Sequence, residues 1–441
     1  MINEPHQISD KSGFLPFKYP NFGKLLTGQL VSNIGSQFSY IALIFLIYDL
    51  TGEVYAMALL SIAQAIPMIL IGPWAGVVVD KVDRKYTMVF ADLGQAFAIL
   101  IIPLTTSLPD NIRVWWIVGI AFCNATFARF FYPARGASIP NLIEDNKDLL
   151  TANSLSVGSY QVSALIGPMT AGVIIGTLGY DIPFVIDSMS FLFSAFCILL
   201  INRSLKASNP SERKPIQDLI AGGRYLAGFP PLLYLLIIFS MLMFAGGASM
   251  ILIVPYLEVE HGLIEQGIRE IIYGIMMAGS ALMGILISYL LSRRKRIAKP
   301  ITLITWTLIL AGVILMIFAS APRGYLWIVG LAWIGFGAIE VFIMIPLQTI
   351  AQETVPDRLR GKIFSFINLS ITVSQVIGMG IVGLIADTAI GIRGSLILNG
   401  LMLIVFFLIG IMTLSRKQLE NIVEKRRNLM LLGEWEGKNS F

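Results

Sequence analysis

Twelve long apolar runs, separated by short polar stretches, constrain what this 441-residue chain can fold into. Each has close to the ~20 residues that a helix needs to cross hydrocarbon. Backbone polar groups inside a bilayer must be satisfied within the segment, so each run predicts a transmembrane helix. Charged residues are only 13% of the chain, against roughly 25% in soluble domains, which excludes an ordinary soluble enzyme. The runs are 25–48, 55–79, 87–106, 114–133, 154–178, 183–202, 231–256, 270–291, 300–320, 324–348, 364–387 and 394–414.

The distribution of basic residues predicts an orientation. When the N-terminus is placed in the cytoplasm, only four of the 32 Lys and Arg residues lie in the loops on the other side: Arg113, Arg269, Arg323 and Arg393. The positive-inside rule therefore predicts a multi-pass protein of the cell membrane with both termini cytoplasmic. The net charge of +5 then reflects topology, and we expect no nucleic-acid partner.

The longest polar interruption, at 203–230, divides the runs into six and six. The predicted fold is an all-α integral membrane protein with twelve transmembrane helices in two six-helix, pseudo-symmetric halves. Internal six-span repeats are typical of transporters that rock two halves about a midplane site. The linker is predicted to be flexible and then amphipathic. The predicted divisions are an N-terminal segment 1–21, a first half 22–203, a central linker 204–229, a second half 230–415 and a tail 416–441.

The turn between spans 2 and 3 contains Gly76, Asp80, Arg84 and Lys85. A carboxylate at this helix end can bind an arginine or the N-terminus of a neighbouring helix. Gly72 and Gly76 have the spacing that lets helices approach closely. We interpret this segment as a gating loop that latches one of two conformations. The alternative is plain charge at a helix end that only sets topology.

Span 5 contains Gly167, Pro168, Ala171 and Gly172. Proline interrupts the hydrogen-bond ladder of a helix, and small residues allow tight packing. The segment predicts a kink with a functional role, or else an ordinary kink of the kind common in membrane helices.

Four charged residues lie inside the runs, away from their end residues, and are candidates for proton or substrate binding, because charge in the bilayer is costly. They are Asp92, Arg129, Asp187 and Glu340. Glu340 lies deepest and is the best candidate for protonation or for binding a cationic substrate; the alternative is a hydrogen-bonded structural glutamate. Arg129 can extend to the membrane surface. Asp92 and Asp187 can equally be structural partners.

Metal, cofactor and enzyme chemistry are not expected. The histidines, His6 and His261, lie outside the runs, and Cys123 and Cys197 form no CxxC pair. The motifs HExxH, GxSxG and GxxxxGK[ST] do not occur. Asp92 and Asp187 lie near opposite faces of the membrane and cannot form a catalytic dyad. Besides a transporter and an enzyme, the chain could be an assembly scaffold that does not transport, but the complete gating-loop pattern disfavours this function.

These motifs give the chain a family resemblance. Gly76, Asp80, Arg84 and Lys85 match the loop signature of the major facilitator superfamily, and the span-5 segment resembles its antiporter signature, with Ala171 for the usual Gly. The chain is most similar to the twelve-span drug:proton antiporter branch, which contains macrolide efflux proteins and the enterobactin exporter. This closer resemblance is carried by Phe22–Ser32, by Asp83 in place of the usual Gly, and by Ala91–Leu93, Pro133–Arg135, Ile186–Phe191 and Val355–Gly361.

The resemblance implies a monomeric secondary transporter of a bacterial cytoplasmic membrane. It implies proton-coupled efflux of a small amphipathic compound, such as a drug, antibiotic or siderophore, by alternating access. The proton motive force supplies the energy, and no cofactor or metal is implied. The alternative is a lipid or metabolite carrier, or a facilitator without proton antiport. Asn124 and Gln95 stand where the superfamily often has arginines, and Arg129 lies further along span 4.

Overall fold

The computed structural model describes residues 15–206, 215–265, 267–293, 299–413 and 416–431, and these residues form sixteen α-helices. The first eight are α1 (Leu15–Lys18), α2 (Pro20–Thr51), α3 (Val54–Leu70), α4 (Gly72–Lys81), α5 (Arg84–Leu104), α6 (Asp110–Leu142), α7 (Leu149–Leu178) and α8 (Asp181–Leu199). The others are α9 (Pro215–Ala227), α10 (Pro230–Pro255), α11 (Ile268–Ser292), α12 (Pro300–Ala319), α13 (Leu326–Thr354), α14 (Asp357–Ala386), α15 (Gly391–Thr413) and α16 (Arg416–Leu431).

Eleven of the described helices are long and apolar enough to cross a membrane, and α3 with α4 makes a twelfth, bent span. The all-helical fold class is thus confirmed. The axes of α3 and α4 differ by 49°, although the apolar run 55–79 predicted one continuous helix. Pro67 and Pro73 flank the break at Ile71. Proline lacks an N–H and clashes with the preceding turn, which accounts for the bend.

The spans form an N-half (α2–α8) and a C-half (α10–α15). We call the end of the bundle that carries residues 200–206 and α9 the linker face, and the opposite end the far face. At the far face one hydrophobic core runs through both halves. At the linker face the core splits into one cluster in the N-half and another in the C-half. The halves are therefore joined at the far face and separated at the linker face.

Two helices outside the spans pack against the C-half. In α9, a Cβ added at Gly222 would lie 2.5 Å from the carbonyl oxygen of Lys362, so α9 lies directly on α14. Asp218 of α9 also pairs with the Lys362 ammonium group at 2.8 Å. In α16, Leu419 and Val423 are buried against the same half. Segments 1–14, 207–214, 414–415 and 432–441, which include most of the predicted flexible linker, lie outside the described residues, and the predicted domain boundaries stay predictions.

Candidate functional site

A cleft of about 390 Å³ lies between the halves where the core is split. Both halves and the linker helix line it, so its shape depends on the relative position of the halves. The N-half contributes Met68, Gly72, Pro73, Gly76, Arg129, Tyr132 and Pro133. The C-half and α9 contribute Ser365, Asn368, Leu369, Asp218 and Leu219.

Arg129 and Glu340 lie at the same depth. Arg129 is 13 residues before the end of α6 at Leu142, and Glu340 is 14 residues before the end of α13 at Thr354. At a rise of about 1.5 Å per residue, both are ~20 Å from the linker-face ends of their helices. Glu340 therefore occupies the middle of α13, close to the midplane of the bundle.

Glu340 faces accessible space inside the bundle. Its side chain is exposed, whereas Phe336 and Leu347, which share its side of α13, are 8% and 2% exposed. The side of α13 that faces outward is marked by the exposed Leu331, half a turn away. Glu340 lies within electrostatic range of the Tyr160 hydroxyl of α7. Among the described residues it has no hydrogen-bond or ion-pair partner, unlike a structural glutamate.

Arg129 lines the cleft. Its Nε donates a hydrogen bond to the Ala125 carbonyl oxygen at 3.3 Å. Its guanidinium carbon lies 5.7 Å from the centre of the Tyr132 ring, within the range of a cation–π contact. No carboxylate in the described part of the chain pairs with it.

The structure does not bring Asp92 and Asp187 to this cleft. Each is 1% exposed and packed inside the N-half. Asp187 accepts hydrogen bonds from Ser36 at 3.4 Å and from Ser190 at 3.3 Å, which joins α2 to α8. Asp92 has one carboxylate oxygen without a partner among the described residues. These contacts support the structural interpretation for Asp187, and a transport role for either residue stays a prediction.

The predicted gating loop ties together helices of the N-half. Arg84 lies 3.7 Å from Asp80 and donates a hydrogen bond of 2.8 Å to the Ala137 carbonyl oxygen of α6. Lys85 donates one of 2.9 Å to the carbonyl oxygen of Ile201, after α8. The loop thus fixes α4 to α6 and to the chain beyond α8 in this conformation. Its predicted latching role is not tested by these contacts.

The span-5 motif lies at a close approach of the two halves. A Cβ added at Gly172 would overlap the carbonyl oxygen of Glu270 in α11. A Cβ at Gly274 of α11 would lie 2.5 Å from the Pro168 carbonyl oxygen. Ala171, between these contacts, is fully buried. Pro168 lies inside one helix, α7, so the motif acts here as a packing seam between α7 and α11.

The remaining motif glycines differ from one another. A Cβ at Gly167 would overlap the side chain of Gln37 in α2, which agrees with the predicted tight packing. At Gly72 an added Cβ would meet nothing within 4 Å. The prediction of close helix packing at Gly72 is wrong in this conformation, because Gly72 and Gly76 line the open cleft.

A buried charge cluster closes the far face, and sequence analysis missed it. Arg269 of α11 binds Asp49 of α2 at 2.8 Å, Glu270 at 2.7 Å, and also Glu258. Tyr180 of the N-half donates a hydrogen bond to Asp49, and burial next to that carboxylate raises the Tyr180 pKa. The cluster joins the two halves. Asp49, Glu258 and Glu270 lie at the ends of apolar runs, where charge is usual, so no sequence pattern distinguished them.

A second polar link crosses the far face. The carboxylate of Asp387, after α14, accepts hydrogen bonds from the backbone N–H groups of Val54 at 3.2 Å and Tyr55 at 2.9 Å. These are the first N–H groups of α3, which lack partners within their own helix. A carboxylate at a helix N-terminus is favoured by the helix dipole. The C-half thus caps a helix of the N-half.

Comparison of the sequence with known proteins identifies relatives of this chain. The family model described as Major Facilitator Superfamily matches residues 25–373. The MFS-type transporter YfiS of Bacillus subtilis is 26% identical over 92% of this chain and 94% of its own length. Macrolide efflux protein A of Streptococcus pyogenes is 27% identical over 42% of this chain and 46% of its own. The putative bacilysin exporter BacE of Bacillus amyloliquefaciens is 28% identical over 41% and 44%.

Solved structures share the fold at low identity. A bacterial homologue of the iron transporter ferroportin, in an inward-facing state, superposes with a TM-score of 0.70 and 15% identity over 92% of this chain and 98% of its own. A bacterial homologue of the lysosomal transporter Spinster gives a TM-score of 0.69 and 13% identity over 96% and 100%. Each likeness shows the fold alone.

Proposed function

The chain belongs to the Major Facilitator Superfamily, and from this premise we propose that it is a proton-coupled exporter of small amphipathic compounds. Membership makes it a multi-pass membrane transporter and confirms the family resemblance of its motifs. Two relatives named as efflux or exporter proteins support the export direction.

The observation that carries the proposal is the position of Glu340. It is a carboxylate in the middle of α13, it faces accessible space inside the bundle, and no described residue pairs with it. An unpaired charge at this depth is costly, so the site is stabilised by a proton or by a cationic group of a substrate. Competition of proton and substrate for one carboxylate produces antiport without a separate proton relay.

The proposed cycle uses the two faces of the bundle. We take the linker face as cytoplasmic, because nearly all basic residues lie on that side, in the inner membrane of a bacterial cell. The structure then corresponds to a state that accepts substrate from the cytoplasm. Closure of the cleft and separation of the Arg269 cluster would release substrate outside, where a proton replaces it at Glu340. Each ligand shifts the equilibrium only by its difference in affinity for the two states.

The test is substrate-induced proton release from inverted membrane vesicles under an imposed pH gradient, with ethidium and a macrolide as probes. Wild-type protein should release protons on substrate addition, and Glu340→Gln should lose this response because it mimics the protonated state. Glu340→Asp should retain part of it. Glu144→Gln, on the exposed surface, is the matched control. Normal proton release by Glu340→Gln would refute the assignment.

The alternative is a lipid or metabolite carrier, or a facilitator without proton coupling. It makes a different prediction in the same vesicles. A facilitator would move the probes down their gradients at equal rates in wild-type protein and in Glu340→Gln, and the pH gradient would drive no accumulation in either.

A further inference from the structure

One wall of the cleft carries an arginine and a tyrosine, and a second arginine contacts the same tyrosine ring. The guanidinium carbon of Arg129 lies 5.7 Å from the centre of the Tyr132 ring, and that of Arg135 lies 5.9 Å from it. All three residues belong to α6. Arg129 and Tyr132 line the cleft, and Tyr132 is 47% exposed. The wall therefore combines positive charge with an aromatic surface.

Neither arginine has an acidic partner among the residues that the structure describes. Arg129 donates only to the Ala125 carbonyl oxygen, and the Nε of Arg135 is buried without a hydrogen-bond acceptor. By contrast, the buried Arg269 and Arg427 each form ion pairs with carboxylates. An unpaired guanidinium group about 20 Å inside a helix bundle, as at Arg129, is costly, and an incoming anion would offset that cost.

Among the described residues that line the opposite wall of the cleft, none offers a free carboxylate to Arg129. Ser365 and Asn368 of α14 line it with a hydroxyl and an amide, both of which can donate hydrogen bonds to an oxyanion. The one acidic residue that lines the cleft, Asp218, already pairs with Lys362 at 2.8 Å. Ser365 and Asn368 lie 8 and 11 residues into α14, which begins at Asp357 at the linker face. Their depth is thus ~12–17 Å, just below that of Arg129.

We propose that Arg129, Tyr132 and Arg135 form an anion site, which binds a carboxylate or phosphate group of the transported compound. Arginine binds such groups through charge-assisted, often bidentate hydrogen bonds. The Tyr132 ring packs against the apolar body that follows the acidic group. This inference deepens the proposed function and rests on it: the exported compound carries an acidic group besides its apolar part and the cationic group that competes with protons at Glu340.

The test compares three fluorescent probes with the same apolar body: 1-pyrenebutyrate, 1-pyrenebutanol and 1-pyrenebutylamine. Equilibrium binding to the full-length protein in neutral detergent is measured by energy transfer from tryptophan. The acid should bind more tightly than the alcohol, whereas binding of the amine reports on Glu340 and should not depend on Arg129. Arg129→Gln should weaken acid binding by about tenfold or more, the loss expected for a hydrogen bond to a charged group, and leave alcohol binding unchanged.

Two further variants sharpen the result. Arg129→Lys should retain part of the acid preference, because it keeps the charge and loses the bidentate geometry. Arg203→Gln removes an exposed arginine on the same face, paired with Glu144 outside the cleft, and should bind all three probes like the wild type. Equal affinity for acid and alcohol in the wild-type protein, or unchanged acid binding in Arg129→Gln, would overturn the anion site.

Reconstitution distinguishes two sources of the acidic group. Nanodiscs of phosphatidylcholine alone are compared with nanodiscs that also contain phosphatidylglycerol. If acid binding is equal in both, the site serves a soluble amphiphile; if phosphatidylglycerol displaces the acid probe from wild-type protein, it accepts a lipid headgroup phosphate. If the wild-type protein binds the acid more tightly than the alcohol but releases no protons on substrate addition, only the proposed exporter function is refuted. If it releases protons but binds acid and alcohol equally, only the anion site is refuted.

Discussion

Arg269 is the centre of the charge cluster that joins the two halves at the far face. It is 3% exposed, and its neighbour Glu270 is fully buried. Asp49 supplies the contact to the N-half at 2.8 Å. Buried ion pairs contribute little net stability compared with apolar replacements, but removal of one partner leaves an uncompensated charge and costs roughly 3–5 kcal/mol. Charge balance around Arg269 therefore biases the choice between a closed and an open far face.

We expect Arg269→Gln to lower the thermal denaturation temperature of the purified protein, because the Glu270 carboxylate loses its partner. Glu270→Gln in the same chain should restore more than half of the loss, since it removes the stranded charge and keeps an acceptor for the Gly267 N–H. Arg323→Gln is the matched control: Arg323 is exposed on the same face. Equal losses in Arg269→Gln and Arg323→Gln would contradict the role of the cluster.

At the scale of elements, the contact between α7 and α11 decides how closely the halves can join. The contact consists of glycines and backbone on both sides: Gly172 meets the Glu270 carbonyl group, and Gly274 meets that of Pro168. Small residues allow this approach without side chains in between. Because neither backbone can move away cheaply, one added methyl group must push the halves apart at the far face.

We expect Gly172→Ala to disfavour the far-face-closed state and to slow transport by about tenfold or more, since overpacking costs roughly 1–3 kcal/mol. Gly158→Ala in the same helix is the matched control, because a Cβ there meets nothing within 4 Å. Both substitutions change helix propensity equally, so a difference between them reports on packing. Transport at the wild-type rate in Gly172→Ala would contradict the role of the contact between α7 and α11 in closing the far face.

At the scale of the whole molecule, the division of the core matches one of the two conformations in the proposed cycle. The core is continuous across both halves at the far face and split at the linker face. Closing the cleft would bury Arg129 and Asn368, which line it. It would also separate the far-face contacts that Arg269 and Asp387 make. The proposed direction of transport depends on which face is cytoplasmic.

Cysteine labelling tests that orientation. In a background with Cys123→Ala and Cys197→Ala, single cysteines at 110, 263 and 323 should react with an impermeant maleimide in intact cells. A cysteine at Ser204 should react only after permeabilisation, because the linker face is proposed to be cytoplasmic. The reverse pattern would place the linker face outside.

The sequence by itself determined the number of spans, their grouping into two halves and the short set of charged residues inside them. These properties depend only on the order of residues along the chain. Hydrocarbon thickness sets the length of an apolar run, and the cost of charge in the membrane marks residues such as Glu340 and Arg129. The family motifs are also local, so the sequence alone marks residues such as Gly172 and Asp80.

Only the tertiary structure decided which of these residues face the cleft. Asp187 is a carboxylate inside an apolar run, as Glu340 is. Serines of α2 and α8 donate hydrogen bonds to Asp187, whereas Glu340 faces open space inside the bundle. Helices that are apolar nearly all round carry no periodic signal of which side meets which neighbour. Packing sets how each helix is rotated about its own axis and how the two halves meet. That rotation places Arg269 in the charge cluster and Arg129 in the cleft.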